Sequence, residues 1–179
     1  GTRARKTRTK SFNAFSSIDY PETAMFRDRR LIQFLQRPAD YTHAVFSTAL
    51  DPNVFVLRLV PGMRADTIPL LEGRYRALVL ESFGVGGLPG GDDGAMFAAV
   101  RDWCGAGHLA VFTTQVPHEG SDLAVYEVGR AAKALPGVLE AHDMTPEATA
   151  VKLMWVLGQT TDRAEAEKLF LTPVQWDIL

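Results

Sequence analysis

From residue 54 onward, apolar residues come in short unbroken runs that stop at polar side chains, alternating with stretches where they recur every three or four positions. The runs Val54-Phe55-Val56-Leu57-Arg58-Leu59-Val60 and Ala77-Leu78-Val79-Leu80 read as strands buried on both faces, because a solvated face would place polar residues at alternate positions. His108-Leu109-Ala110-Val111-Phe112 is a third such run, stopping at Thr113-Thr114-Gln115. Alternation over residues 41–50, set off by the turn residues Asp51-Pro52-Asn53, adds a further strand. Between the strands lie helical patterns. Pro61-Gly62-Met63 leads into a short amphipathic helix near residues 65–71, and residues 92–104 place Met96, Phe97, Val100 and Trp103 on one side of a helix that Gly105 and Gly107 end. Ser121 or Asp122 can cap a helix carrying Leu123, Val125, Tyr126 and Val128. Thr145-Pro146-Glu147 then starts another, with an N-cap hydroxyl, a proline where no N–H is needed and a carboxylate near the positive end. Val151, Leu153, Met154, Val156 and Leu157 fill it before Gly158, and a last helix covers 162–171, stopped by Pro173.

Strand and helix alternate with connections suited to right-handed crossovers, which predicts an α/β domain over residues 41–179. Its expected form is a three-layer, flavodoxin- or Rossmann-like parallel sheet covered on both faces. The first forty residues read differently. Residues 1–21 are extended and turn-rich, ending at Tyr20-Pro21, and look like the end of another domain. Met25, Phe26, Leu31, Ile32, Phe34 and Leu35 predict a short helix or irregular linker over 22–40, closed by Arg37-Pro38.

Composition changes this picture little. At 46% apolar and 22% charged, the 179 residues suit an ordinary folded chain. Net charge is −2, yet Arg3, Arg5, Lys6, Arg8 and Lys10 fall in the first ten residues without an acid, leaving the remainder acidic and arguing against a nucleic-acid partner. The Thr and Ala interleaved among them suit a strand with a solvated face; a tail for RNA or a membrane surface is the other reading. Cys104 stands alone, so there is no internal disulfide, and no apolar run reaches the roughly 20 residues of a membrane span. The cytoplasm is the expected compartment, with no membrane partner and no secretory signal in the basic opening. Gly1 in place of an initiator Met points to processing or truncation.

The candidate chemistry begins where the run at 77–80 delivers Glu81 and Ser82 onto Phe83-Gly84-Val85-Gly86-Gly87. A carboxylate and a hydroxyl are thereby set on a glycine turn at the carboxyl end of a strand, where ligands of α/β sheets bind. The glycines through Gly91 lack the Lys-Ser/Thr of a phosphate loop, and Ser82 lacks a Gly-x-Ser-x-Gly elbow. His43, His108, His118 and His142 are scattered without metal-ligand spacing, so neither a metal nor a cofactor is expected. His118, in a loop beyond a strand end, is the best-placed general base, and an exposed loop histidine is the plainer reading. Thr2 could be an N-terminal nucleophile only after loss of Gly1, and nothing else supports that role.

Several segments in register carry a family resemblance. They are Arg3-Ala4-Arg5-Lys6, Ser11-Phe12-Asn13-Ala14-Phe15-Ser16-Ser17, residues 78–86, Thr114-Gln115, Tyr126-Glu127-Val128-Gly129 and Asp143-Met144-Thr145-Pro146-Glu147-Ala148. Over nearly its whole length the chain resembles the bacterial cytoplasmic (type I) L-asparaginases of the asparaginase/glutaminase family. The archaeal glutamyl-tRNA(Gln) amidotransferase subunit is the nearest alternative.

The resemblance implies that residues 1–21 close a truncated N-terminal domain, that 22–40 link the domains, and that 41–179 form the C-terminal domain. No Thr-Gly-Gly-Thr or Thr-Asp-Thr motif is present, so no catalytic residue is assigned: the family's threonines, aspartate and lysine belong to the N-terminal portion. The implied activity is hydrolysis of L-asparagine to L-aspartate and ammonia by the intact protein, with this chain alone inactive. The implied partners are L-asparagine or L-aspartate, the missing N-terminal domain, and further copies in a homodimer or dimer of dimers. Glu81, Ser82, Gly84 and Gly86 match the segment that closes a neighbour's active site or binds an effector. Some relatives carry Asn or Arg there, where this chain has Glu81 and Gly87. Gln115 and Tyr126 match positions near the same edge, Tyr126 packing on its ring and offering its hydroxyl. A binding or dimerisation module and a flavodoxin-like nucleotide-binding domain are the readings from other classes.

Overall fold

The computed structural model describes residues 2–35, 45–89, 94–174 and 176–178. Its centre is a parallel sheet of β5 (Val54–Arg58), β6 (Ala77–Ser82), β7 (Leu109–Thr114) and β8 (Val138–Glu140), in that order. Alternate residues of the unbroken apolar runs serve opposite faces. Leu78, Leu80, Ala110 and Phe112 join a cluster with Met96, Val100 and Trp103 of α1 (Ala95–Gly105) and Ala132 of α2 (Glu127–Lys133). Ala77, Val79, Leu109 and Val111 join Leu153, Val156 and Leu157 of α3 (Pro146–Gln159) and Phe170 of α4 (Arg163–Leu171). The expected three-layer α/β fold is therefore what forms, and two-sided burial is why β6 and β7 lack polar alternation.

Local rules account for the helix ends. The Thr145 hydroxyl accepts from the Ala148 amide at 3.2 Å ahead of Pro146, and Asp162 accepts from Glu165 at 2.8 Å. Other elements differ from expectation. Residues 65–67 and 69–71 are two separate 3₁₀ turns, because Pro69 has no N–H to continue a helix. The helix expected from Ser121 or Asp122 starts only at Glu127, since the Asp122 carboxylate instead accepts from Ala124 in a local turn. Of the strand expected over 41–50, residues 41–44 lie outside the described residues and 45–50 are irregular. β8 went unforeseen.

The opening residues form two hairpins. β1 (Ala4–Lys6) pairs antiparallel with β2 (Phe15–Ser17), and β3 (Ala24–Arg27) with β4 (Arg30–Gln33). Where a helix or irregular linker was expected, Asp28 and Arg29 both take positive φ, +48° and +64°, closing a two-residue turn whose twist matches the strands it joins. The first hairpin is tied to the sheet. Arg3, expected on a solvated face, is buried and ion-pairs with Asp143, and its Nε donates to the Trp176 carbonyl at 3.0 Å.

Candidate functional site

The residues singled out in the sequence gather at the carboxyl ends of β6 and β7. β6 brings Glu81 into register with Arg58 of β5 on one side and Thr113 of β7 on the other. The Glu81 side chain is 12% exposed, its Oε2 lies 3.3 Å from Arg58 Nη1, and the Arg58 head reaches solvent. Beside it the Thr113 hydroxyl is fully buried without a hydrogen-bond partner among the described residues. An unsatisfied hydroxyl next to a buried carboxylate is costly in a finished core and marks a polar spot. Ser82 points the other way, is fully buried, and donates to the Thr113 carbonyl at 2.7 Å.

After Ser82 the chain turns sharply. Phe83 and Gly87 close the turn through Gly87 N–H to Phe83 O at 2.7 Å and Phe83 N–H to Gly87 O at 3.1 Å. Thr114 Oγ1 donates to the Gly84 carbonyl, and the Asp122 amide donates to the Val85 carbonyl at 2.7 Å. Gly86 has φ +153°, which favours glycine, and a Cβ there would meet Leu123 Cδ2 at 2.6 Å, so the Leu123 side chain packs directly on it. Gln115 spans the strand ends, its amide donating to the Leu59 and Glu81 carbonyls. Glu81, Ser82, Gly84, Gly86 and Gln115 thus share one edge. Tyr126 stands just before α2 and is 58% exposed.

His118 is the exposed loop histidine of the plainer reading. Its Nδ1 lies 3.1 Å from Asp19 Oδ1, and Asp19 Oδ2 accepts from the Glu119 amide at 2.7 Å, which latches the first hairpin to the loop after β7. His43 lies outside the described residues. Among the described residues no group of three or more metal-ligating side chains gathers, and no helix is long and apolar enough to cross a membrane. A groove of about 680 Å³ lies elsewhere, lined mainly by apolar groups such as Leu50, Val151, Trp155 and Val174, with the buried Lys152–Asp177 pair at 2.8 Å on its wall.

Two participants gave little warning in the sequence. Arg58 is legible only once strand register is known. Glu140, at the end of β8, is buried, accepts from the Leu123 amide through Oε1 and holds Lys133 Nζ 2.9 Å from Oε2. The Glu140 carboxylate beside it raises the pKa of Lys133 above its ordinary value.

Comparison with known proteins gives these elements a family context. Residues 53–170 match the family described as Glutaminase/Asparaginase C-terminal domain. The chain is 39% identical over 170 residues to an L-asparaginase of Thermococcus kodakarensis, covering 94% of this chain and 51% of the relative. It is 33% identical over 178 residues to a glutamyl-tRNA(Gln) amidotransferase subunit of Metallosphaera sedula, covering 96% and 39% respectively. It superposes on the solved thermostable L-asparaginase of Thermococcus kodakarensis with a TM-score of 0.91 at 35% identity, covering 99% of this chain and 53% of that one. L-asparaginase I of Vibrio cholerae shares the fold, with a TM-score of 0.80 at 22% identity over 99% of this chain and 54% of its own. The chain therefore spans about half the length, or less, of these relatives.

Proposed function

The chain belongs to the glutaminase/asparaginase family, whose C-terminal domain it carries, and from that premise we propose that it is the C-terminal portion of an L-asparaginase. In this reading the intact protein hydrolyses L-asparagine to L-aspartate and ammonia in the cytoplasm, as a homodimer or dimer of dimers. A threonine hydroxyl in the half not represented here attacks the side-chain amide and expels ammonia. Water then hydrolyses the resulting ester, and donors in that same half stabilise the oxyanion. The present chain contributes no nucleophile and by itself releases no ammonia. Residues 1–21 complete the N-terminal domain, 22–40 link the two, and 41–179 supply the interface and a ligand edge.

The observation that supports this assignment of the edge is Glu81: a nearly buried carboxylate at a strand end, beside an unsatisfied Thr113 hydroxyl. Its partner Arg58 is itself largely solvated, so the α-ammonium of an amino acid can compete for Glu81 without stranding a buried cation. Gly84, Gly86, Gln115 and Ser82 shape the turn around that carboxylate. Tyr126 is left exposed for a neighbouring subunit or a ligand.

The test is ammonia release from L-asparagine by the full-length protein, wild type and Glu81→Ala, with the 179-residue chain as control. Activity confined to the full-length protein, with a displaced substrate-saturation curve for Glu81→Ala, is the expected result. Release by the 179-residue chain would overturn the assignment of the nucleophile to the other half. No release from any of them would favour a binding or assembly module.

A further inference from the structure

Glu140 sits where an apolar side chain would pack at lower cost. It lies at the carboxyl end of β8, is 4% exposed, and spends one oxygen on a single backbone amide, that of Leu123. Its other oxygen faces Lys133, which reaches in from the last turn of α2 with its side chain half in water. Burying a carboxylate is unfavourable unless its partners are well placed, and what such a pair secures is position.

The position secured is that of residues 121–123. Leu123 fills the space that a Cβ of Gly86 would need, and a Cβ on Gly129 would collide with the Leu123 carbonyl, so the loop is wedged between the glycine turn and α2. The neighbouring Asp122 amide holds the Val85 carbonyl at 2.7 Å. A continuous chain of contacts therefore runs from Lys133 to Glu140, to Leu123 and Asp122, and on to Val85 and Gly86.

We propose that Glu140, braced by Lys133, is a positioning residue for the glycine turn: it fixes residues 121–123, which in turn fix Val85 and Gly86. The consequence for ligands rests on the reading of this edge given above. Removing the Lys133 charge leaves Glu140 buried without its cation, so the carboxylate swings toward water and releases the Leu123 amide, which loosens the turn without touching the sheet.

Amide hydrogen exchange on the 179-residue chain tests this directly. In Lys133→Met, the amides of Gly86, Gly87 and Asp122 should exchange about tenfold faster, while Leu80 and Phe112 in the strands keep their wild-type rates. Lys133→Arg should restore slow exchange, which a role in helix packing alone would not. Glu140→Gln, which keeps an acceptor for Leu123 but loses the charge, should fall between. Unchanged exchange at the turn in both Lys133→Met and Glu140→Gln would overturn the proposal, as would acceleration spread equally through β6 and β7. A parallel titration with L-aspartate, following Val85 and Gly86 by NMR, separates the two readings. Loosened turns with no L-aspartate response in any variant would sustain the brace and count against the ligand edge. A wild-type response left unshifted in Lys133→Met would count against the brace.

Discussion

The two hairpins before residue 36 and the sheet after residue 53 are built on opposite plans. In the sheet and the helices that cover it, Trp103, Phe112, Leu78, Leu80, Val111 and Phe170 are buried to below two per cent, and side-chain burial between layers holds the elements in place. In β3 and β4, Phe26 and Leu31 stand largely in solvent, and a lone two-stranded hairpin has little to stabilise it in water. The first hairpin falls between these extremes. It buries only Ile18 and Arg3, and docks through the Arg3–Asp143 and His118–Asp19 pairs and the Thr145 bond to the Thr2 carbonyl. Apolar burial thus holds one region, and a few polar ties hold the edge of the other.

The contrast breaks most visibly at Trp103. Its ring is fully buried and its Nε1–H donates to the Leu109 carbonyl at 2.9 Å, so Trp103→Ala should cost about 3–5 kcal/mol in urea unfolding. A loss under about 1 kcal/mol would mean that the α1 face is not the core. Next comes Lys152, whose ammonium pairs with Asp177 at 2.8 Å and donates to the Thr172 carbonyl at 2.8 Å. Lys152→Met should cost about 3 kcal/mol by stranding a buried aspartate, and the double change with Asp177→Leu should recover much of it.

Cys104 sharpens the comparison through pH. Desolvation raises its thiol from 9.0 to about 11, so the folded state holds the proton where the unfolded state has lost it. Stability from this group is fully present below pH 9 and is lost as pH rises toward 11, a difference of about 2–3 kcal/mol between the two ends. Comparing urea midpoints at about pH 8 and about pH 10.5, wild type should drop further than Cys104→Ala; parallel drops would remove the thiol as the cause. The smallest effect belongs to the exposed hairpin, where Phe26→Ala should change stability by less than about 0.5 kcal/mol. A larger loss in this chain would show that the ring is covered in solution.

Legibility followed the same divide. Unbroken apolar runs reveal a strand buried on both faces, and Thr145-Pro146 reveals a helix start, so β6, β7 and α3 could be read directly. The second hairpin could not, because Asp28 and Arg29 adopt φ above zero without the glycine or asparagine that usually advertises such a turn. β8 was too short, at three residues, for its alternation to register. Glu81 and the glycine turn were visible as a polar stop after an apolar run. Arg58, Asp19 and Glu140 were not, since each becomes relevant only through a contact made across strands or over long sequence separations. No local pattern encodes such a contact.

Arg3 carries a consequence for the order in which the molecule assembles. Its bonds to Trp176 and Asp143 bridge 173 and 140 residues, among the widest spans in the chain. Closing loops of that size gains nothing until the sheet exists, so these ties belong after the rate-limiting barrier. Weakening them should leave the speed of folding nearly untouched and shorten the lifetime of the native state instead. Arg3 then governs how long the first hairpin stays docked against the segment around Trp176, not whether the sheet between them forms.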